Sequence, residues 1–337
     1  MYKQIKKIED VLRSPSFVND FMILNSRKIR NTIAFKDLKK LWATNEKDFS
    51  SIIIGNEILT ANLKIYNLKA EVVYKHVEYF KYHIEFLERK NYLSIWKTID
   101  EMKDKVFYHV FDIQKLIFIK EDIVSKMPKF FVNQYSFVCQ NNEAEISLFN
   151  FITQNEIWQR DLSEYFNYHN NGKDISGQIK QVKKYNESII VVSDGGIVSL
   201  SIHNGEIEWI LKTYASTMEI VGHVGYVCTG LSLYKINLDN GEMSGYGWEN
   251  NRLPDFEWSG KYFWPAGYEV VYNEGLLWYS VYISGHSFLL AINPHDGHYE
   301  WIHQVETTEK TDSPKFHENR MFLHDTGGVL HIYEKNK

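Results

Sequence analysis

Short apolar runs broken by turn residues set the pattern of the chain, and the clearest stretch is residues 188–213, SIIVVSDGGIVSLSIHNGEIEWILKT. Residues 189–193 are apolar and β-branched, 197–202 alternate, and 206–212 carry Trp209. Between them stand Asp194-Gly195-Gly196 and Asn204-Gly205. Asn-Gly accepts positive φ at both central positions of a two-residue hairpin turn. Each break therefore predicts a tight antiparallel reversal between strands.

The same grammar returns along the chain. VGYVCTGLSLYKINLDNGEMSGYGW holds Asn240-Gly241 and then Trp248, and LLWYSVYISGHSFLLAINPHDGHYEW holds Asp296-Gly297 and then Trp301. SFVCQNNEAEISLFNFITQNEIW lacks the glycine but ends in Trp158, and RMFLHDTGGVLHIYEKNK repeats the first two strands only. Nearer the N-terminus the glycines are gone, yet three further units reach Trp42, Tyr74 and Phe118. A last-strand aromatic thus falls roughly every forty residues, the period of a four-stranded blade. A further short apolar strand precedes most units, at 17–19, 84–87, 179–182 and 268–272, giving four strands per unit.

These units resemble the PQQ-like (quinoprotein-like) propeller repeat, a strand, Asp-Gly, a second strand, Thr-Gly, then a strand ending in Trp. SDGGIVSLSIHNGEIEW and GHSFLLAINPHDGHYEW carry the likeness best, and it is strong over residues 135–333. The resemblance implies an all-β fold, one β-propeller of four-stranded antiparallel blades over residues 1–337. A single such sheet cannot bury both faces, whereas radial stacking buries face against face. Trp42, Tyr74, Phe118, Trp158, Trp209 and Trp301 are then structural aromatics that fill the wedge between blades. Seven units and an incomplete eighth predict eight blades; seven stays open because the second unit is short. Residues 3–8, otherwise without a place, are expected to supply the missing outer strand and close the ring.

Composition agrees with a large β core, with 44% hydrophobic and 15% aromatic residues. A net charge of −5 lacks the basic excess of a general nucleic-acid binder, so no nucleic-acid partner is expected. Cys139 and Cys228 form neither a disulfide framework nor a CxxC site. The N-terminal MYKQIKKIEDVLRSP has no apolar core, so it does not read as a signal peptide, and no apolar run has the roughly 18 residues of a membrane span. A cytoplasmic address is the expectation.

No GxSxG elbow, phosphate loop, HExxH or dinucleotide fingerprint occurs. His295, His298 and His303 lie close in sequence without zinc-ligand geometry, and His203, His286 and His324 read as surface residues near turns. Asp194, Asp296 and Asp325 each precede a turn glycine and read as turn-bonding residues. The family's quinoprotein dehydrogenases use adjacent disulfide-bonded cysteines and a calcium ion beside a catalytic Asp; no residue here maps to those roles. No catalytic residue, metal or cofactor is expected.

Candidate chemistry instead lies in three long interblade loops, 159–177, 248–268 and 306–319. In a propeller of this kind the connection from an outer strand to the next inner strand shares a face with the loop between strands two and three. All three loops should then rise from one face. The richest is 248–268, where Trp248, Asp255, Phe256, Glu257, Trp258, Tyr262 and Trp264 stand together. Clustered Trp and Tyr favour interaction hot spots, although the same rings could fold down as a lid. Tyr165 and His169, from the first loop, complete the candidate face. The expected function is a non-catalytic protein-binding scaffold using that face. Two alternatives stand beside it: a carbohydrate- or small-ligand-binding protein, or a hydrolase or lyase, using the axial pocket with Asp255, Glu257 and His169; and a bacterial immunity-type protein that blocks a basic toxin.

Overall fold

The computed structural model describes residues 2–18, 21–28 and 32–43, strand backbones between 51 and 128 (with the turn residue Lys115), and 129–336 apart from 134, 151, 152, 154, 171, 231, 248–251 and 268. Among these residues the chain forms eight four-stranded antiparallel sheets and two small hairpins. The fold class is the expected one: all-β, with eight blades whose strands fall within residues 16–43, 51–75, 83–124, 127–161, 179–211, 217–244, 270–304 and 315–335. They are called blades 1 to 8 below. No helix among the described residues is long and apolar enough to cross a membrane.

Blade 5 shows why the sequence folds this way. Ser188–Ser193, Gly196–Ser201 and Ile207–Leu211 are the three strands read from the turn signals, and Ile179–Tyr185 precedes them. Successive strand residues point to opposite faces. Ile189 and Val191 accordingly enter the core shared with blade 4, while Ile190 and Val192 enter the core shared with blade 6. Both faces are buried, so the strand reads as an unbroken apolar run. Similar shared cores join blades 6 and 7, 7 and 8, and 8 and 1. First strands touch one another between blades 1 and 2, 4 and 5, 5 and 6, and 6 and 7, which places them at the hub.

The seams couple the two halves of the repeat signature. Trp158 of blade 4 donates from Nε1 to the Ile202 carbonyl of blade 5 at 3.0 Å, and Trp209 of blade 5 donates to the Leu238 carbonyl of blade 6 at 3.0 Å. Each indole lies over the turn glycine of the next blade. A Cβ at Gly205 would stand 2.6 Å from Trp158, and one at Gly241 2.7 Å from Trp209. These glycines also hold φ of +68° and +75°. The position therefore needs glycine twice, for backbone geometry and for contact with the ring. Trp301 fills the seam to blade 8 differently, against Trp278 and Tyr2. Trp42, Tyr74 and Phe118 lie on Lys39–Ala43, Val72–Lys75 and Ile117–Val124, the last strands of blades 1 to 3; their side chains are outside the described residues. Blade 6 ends in Met243–Ser244, and Trp248 lies outside the described residues.

Blade 8 takes three strands from the C-terminal region, and Tyr2–Ile8 pairs antiparallel with the outermost, Leu330–Lys335, with a bulge between Gln4 and Lys6. This pairing covers amides that would otherwise form an open edge. Phe17 of blade 1 stacks on His317 of blade 8 at 4.4 Å, and the Val11 amide bonds the Gly328 carbonyl.

Candidate functional site on one propeller face

The three long connectors each pack on the turn between the second and third strands of a following or preceding blade. In 159–177, Asp161 accepts the Ser163 amide at 2.9 Å and starts the single-turn helix Ser163–Phe166. Leu162 and Phe166 point into the core of blades 4 and 5 and are fully buried. The Phe166 backbone lies against Gly195, in the turn of blade 5, so closely that a Cβ there would fall on its carbonyl. Lys212 Nζ donates to the carbonyls of Glu164 and Tyr165. Asp194 does not bond its own turn as expected; it accepts the Gln178 amide at 2.7 Å and pairs with Lys180, tying the connector to blade 5. Beyond the helix, Tyr168–Asn170 and Lys173–Ile175 make a polar hairpin in which exposed His169 pairs with Asp174 at 3.0 Å. Tyr165 is half-buried against the seam.

Connector 248–268 is built more tightly. Phe256–Trp258 and Lys261–Phe263 form a hairpin. Phe256, 2% exposed, and Phe263 face inward and pack on Phe288 of blade 7. Trp258 also meets Phe288, and its Nε1 donates to Gln304 Oε1 at 2.9 Å. Tyr299 donates to the Pro254 carbonyl at 2.7 Å, and burial followed by the nearby Asp255 charge pushes its phenol above the usual range, so it remains a donor. The far end is fixed by Tyr279, whose hydroxyl donates to the Gly267 carbonyl at 2.6 Å, beside the Cys228 thiol. Burial pushes that thiol up to about 11, which makes it an inert packing group at neutral pH.

Alternation along the hairpin turns the other residues outward. Glu257 and Tyr262 are paired across the two strands and both exposed, Tyr262 at 75%. Trp264 is 47% exposed, with the Arg252 guanidinium 3.8 Å over its ring and Asp255 Oδ1 3.1 Å from Arg252 Nη2. The loop is therefore neither wholly lid nor wholly patch: Phe256, Trp258 and Phe263 fold down, while Tyr262 and Trp264 face solvent. Asp255 and Glu257 belong to the 248–268 connector and His169 to the hairpin of the first connector, and the bonds of Asp255 and His169 run to Arg252 and Asp174 of their own connectors, not to one another.

The third connector, 306–319, holds a buried polar network. Asp325, in the turn of blade 8, accepts from His331 Nε2 at 2.9 Å, Thr307 Oγ1 at 2.8 Å and the Val329 amide at 2.9 Å. His324, expected on the surface, is buried between Asp312 at 2.9 Å and the Val11 carbonyl at 3.0 Å. The correction has a plain cause: Arg320–His324 is the second strand of blade 8, and the connector and the N-terminal segment cover its end. With an acceptor at each ring nitrogen, the protonated imidazole fits the site. Burial opposes the charge, but the two hydrogen bonds and the charges of Asp312 and Asp325 outweigh it and hold His324 above its ordinary value.

Two neighbouring clefts open near these connectors. One, of about 380 Å³, lies between Gly267, Tyr282, Lys310 and Thr311. The other, of about 530 Å³, lies by the inner strands of blades 7 and 8 and meets Glu269, Asp312, Ser313 and Lys315.

No protein-family model and no curated protein sequence matches the chain. Solved structures do match its shape. BamB from Moraxella catarrhalis is 12% identical, with 99% of this chain and 98% of that one covered and a TM-score of 0.66. The C-terminal WD40 domain of Sif2 is 10% identical over 100% and 99%, with a TM-score of 0.65. Sqt1 of Saccharomyces cerevisiae is 11% identical over 99% and 98%, with a TM-score of 0.66. At these identities the likeness establishes the β-propeller fold, and function has to be argued from the site.

Proposed function

We propose that the chain is a non-catalytic, cytoplasmic scaffold of PQQ-like repeats that captures a protein partner on the face bearing the long connectors. One observation carries this reading: the hairpin of residues 256–263 is clamped onto blade 7 by Phe256, Phe263 and Trp258, yet holds Tyr262 and Trp264 in solvent. Rigid aromatic rings give contact area at little cost in conformational entropy. A photo-cross-linking residue at position 262 should trap one partner, and the same residue at His203, at the opposite end of blade 5, should not. Equal trapping from both positions, or trapping that survives Trp264→Ala, would end the proposal. Trp258 is unsuitable for this test because its ring anchors the hairpin.

A second reading has its own support. The 530 Å³ cleft is lined by polar groups near the hub, with Ser313 Oγ donating to Glu269 Oε2 at 2.6 Å. A small polar ligand there should raise the melting temperature in a screen of sugars, quinones and divalent metals. A flat response across the screen would remove this reading.

A further inference from the structure

We infer that the hairpin of residues 256–263 docks an arginine side chain from a basic segment of a protein partner, with the guanidinium laid over the Tyr262 ring and paired with Glu257. The inference rests on the scaffold reading and names the chemistry of its partner.

The hairpin itself supplies the template. Arg252 lies 3.8 Å over Trp264 and reaches Asp255 at 3.1 Å, so one guanidinium is held by a ring face and a carboxylate together. The same pair of groups recurs one step along the hairpin. Glu257 stands directly opposite Tyr262 in the strand register. Directly opposed residues project to the same side, with Cβ atoms roughly 4.5–5.5 Å apart. That side is outward, because the flanking pair Phe256 and Phe263 packs inward on Phe288. Both side chains are exposed, and among the described residues no cation lies over the Tyr262 ring. A ring and a carboxylate at that spacing therefore form a second seat like the first, with its cation to come from outside the chain.

Arginine suits the seat better than lysine. Its planar guanidinium stacks on an aromatic face while its edge donates to a carboxylate, which a compact ammonium cannot do at once. Glu257, the carboxylate of the seat, favours a basic protein segment and repels the phosphates of a nucleic acid. Net charge has the same sign, at −5. The anchoring of the hairpin by Tyr299, Gln304 and Phe288 means that the seat exists before binding, which lowers the entropic cost of filling it.

The test uses a fluorescent peptide of Arg-Gly repeats, its Lys-Gly counterpart and the full chain, followed by anisotropy at low ionic strength. The Arg-Gly peptide should bind saturably, and the Lys-Gly peptide at least threefold more weakly. Glu257→Gln and Tyr262→Ala should each weaken binding at least fivefold. Tyr262→Phe, which keeps the ring, should bind within twofold of the wild type. Asp174→Asn removes the same charge from the other hairpin and should change nothing. The inference is overturned by absence of saturable binding, by equal affinity for the two peptides, or by an Asp174→Asn effect equal to that of Glu257→Gln. It is also overturned if wild-type chain self-associates in sedimentation and Tyr262→Ala abolishes this, since the occupant is then a second copy. If position 262 still cross-links a native partner while the peptide fails to bind, the scaffold reading stands and the arginine seat falls.

Discussion

Two connectors solve the same problem with different residues. Both 159–177 and 248–268 leave an outer strand, bury aromatic anchors in a seam and contain a two-stranded hairpin. The first anchors itself with Leu162 and Phe166 before its hairpin begins, so the hairpin is left polar, with His169 and Asp174 at its tip region. The second anchors the hairpin itself, using one face of its strands, and the other face is thereby fixed in solvent. The lesson is that position of the anchor, not length of the loop, decides whether a connector presents a rigid surface.

The strongest test of that comparison removes the anchors. Phe166→Ala and Phe256→Ala should each cost about 3–5 kcal/mol in denaturant unfolding, as expected for a fully buried Phe. Only Phe256→Ala should also release Tyr262 and Trp264, seen as faster hydrogen exchange through residues 256–263. Comparable loosening of both hairpins would erase the distinction.

A smaller loss is expected from single polar ties. Gln304→Ala deprives the Trp258 indole of its acceptor, and Asp194→Ala deprives the Gln178 amide of its acceptor. Each should cost about 0.5–1.5 kcal/mol, the net worth of a hydrogen bond whose donor water can still reach. Stability should respond alike in the two variants, whereas capture through position 262 should fall only for Gln304→Ala.

The third connector adds a pH dependence centred on buried His324 and its neighbour Asp325. His324 is held above its ordinary 6.5, so its contribution is complete below that pH and disappears as pH climbs through the raised value. Burial pushes the Asp325 carboxyl up, but His331, the Val329 amide and Thr307 outweigh it and hold it below its ordinary 3.8. Its contribution is complete above that pH and disappears as pH falls through the lowered value. Amide protection of residues 2–12 should thus peak in the mildly acidic range and decline on both sides. In His324→Gln the decline toward alkaline pH should vanish; its persistence would remove His324 from the explanation.

The smallest stability effect belongs to the exposed rings. Tyr262→Ala should stay within about 0.5 kcal/mol of the wild type. Trp264→Ala should cost no more than the roughly 0.5–1 kcal/mol of an exposed cation–π contact with Arg252. Tyr168→Ala in the first hairpin should be as mild, and it should leave partner capture intact.

Local chemistry made the blades legible. Asn204-Gly205 and Asn240-Gly241 do mark chain reversals, but in the longer loops 202–205 and 238–241 and not in the two-residue turns expected, with positive φ at the glycine and not at the asparagine. The unbroken run at 189–192 marks a strand buried on both faces. What could not be read was which loop aromatic turns inward. Phe256 and Tyr262 look alike in a segment without a clear period, and their difference comes from Phe288, on another blade. The burial of His324 was hidden for the same reason, since Val11 lies more than three hundred residues away in sequence. Pairing of Tyr2–Ile8 with Leu330–Lys335 was legible because a strand-like segment and an incomplete unit were both visible.

The glycine beneath the Trp158 and Trp209 indoles has one more implication. Blade 5 offers Gly205 to the ring before it and Trp209 to the glycine after it, so it behaves as a link with one socket and one plug. Links of that type join end to end in any number, and duplication of the corresponding gene segment delivers a complete joint on both sides. Chains assembled from such parts can change ring size without inventing new contacts, which is why repeat signatures alone describe the joint far better than they count the members.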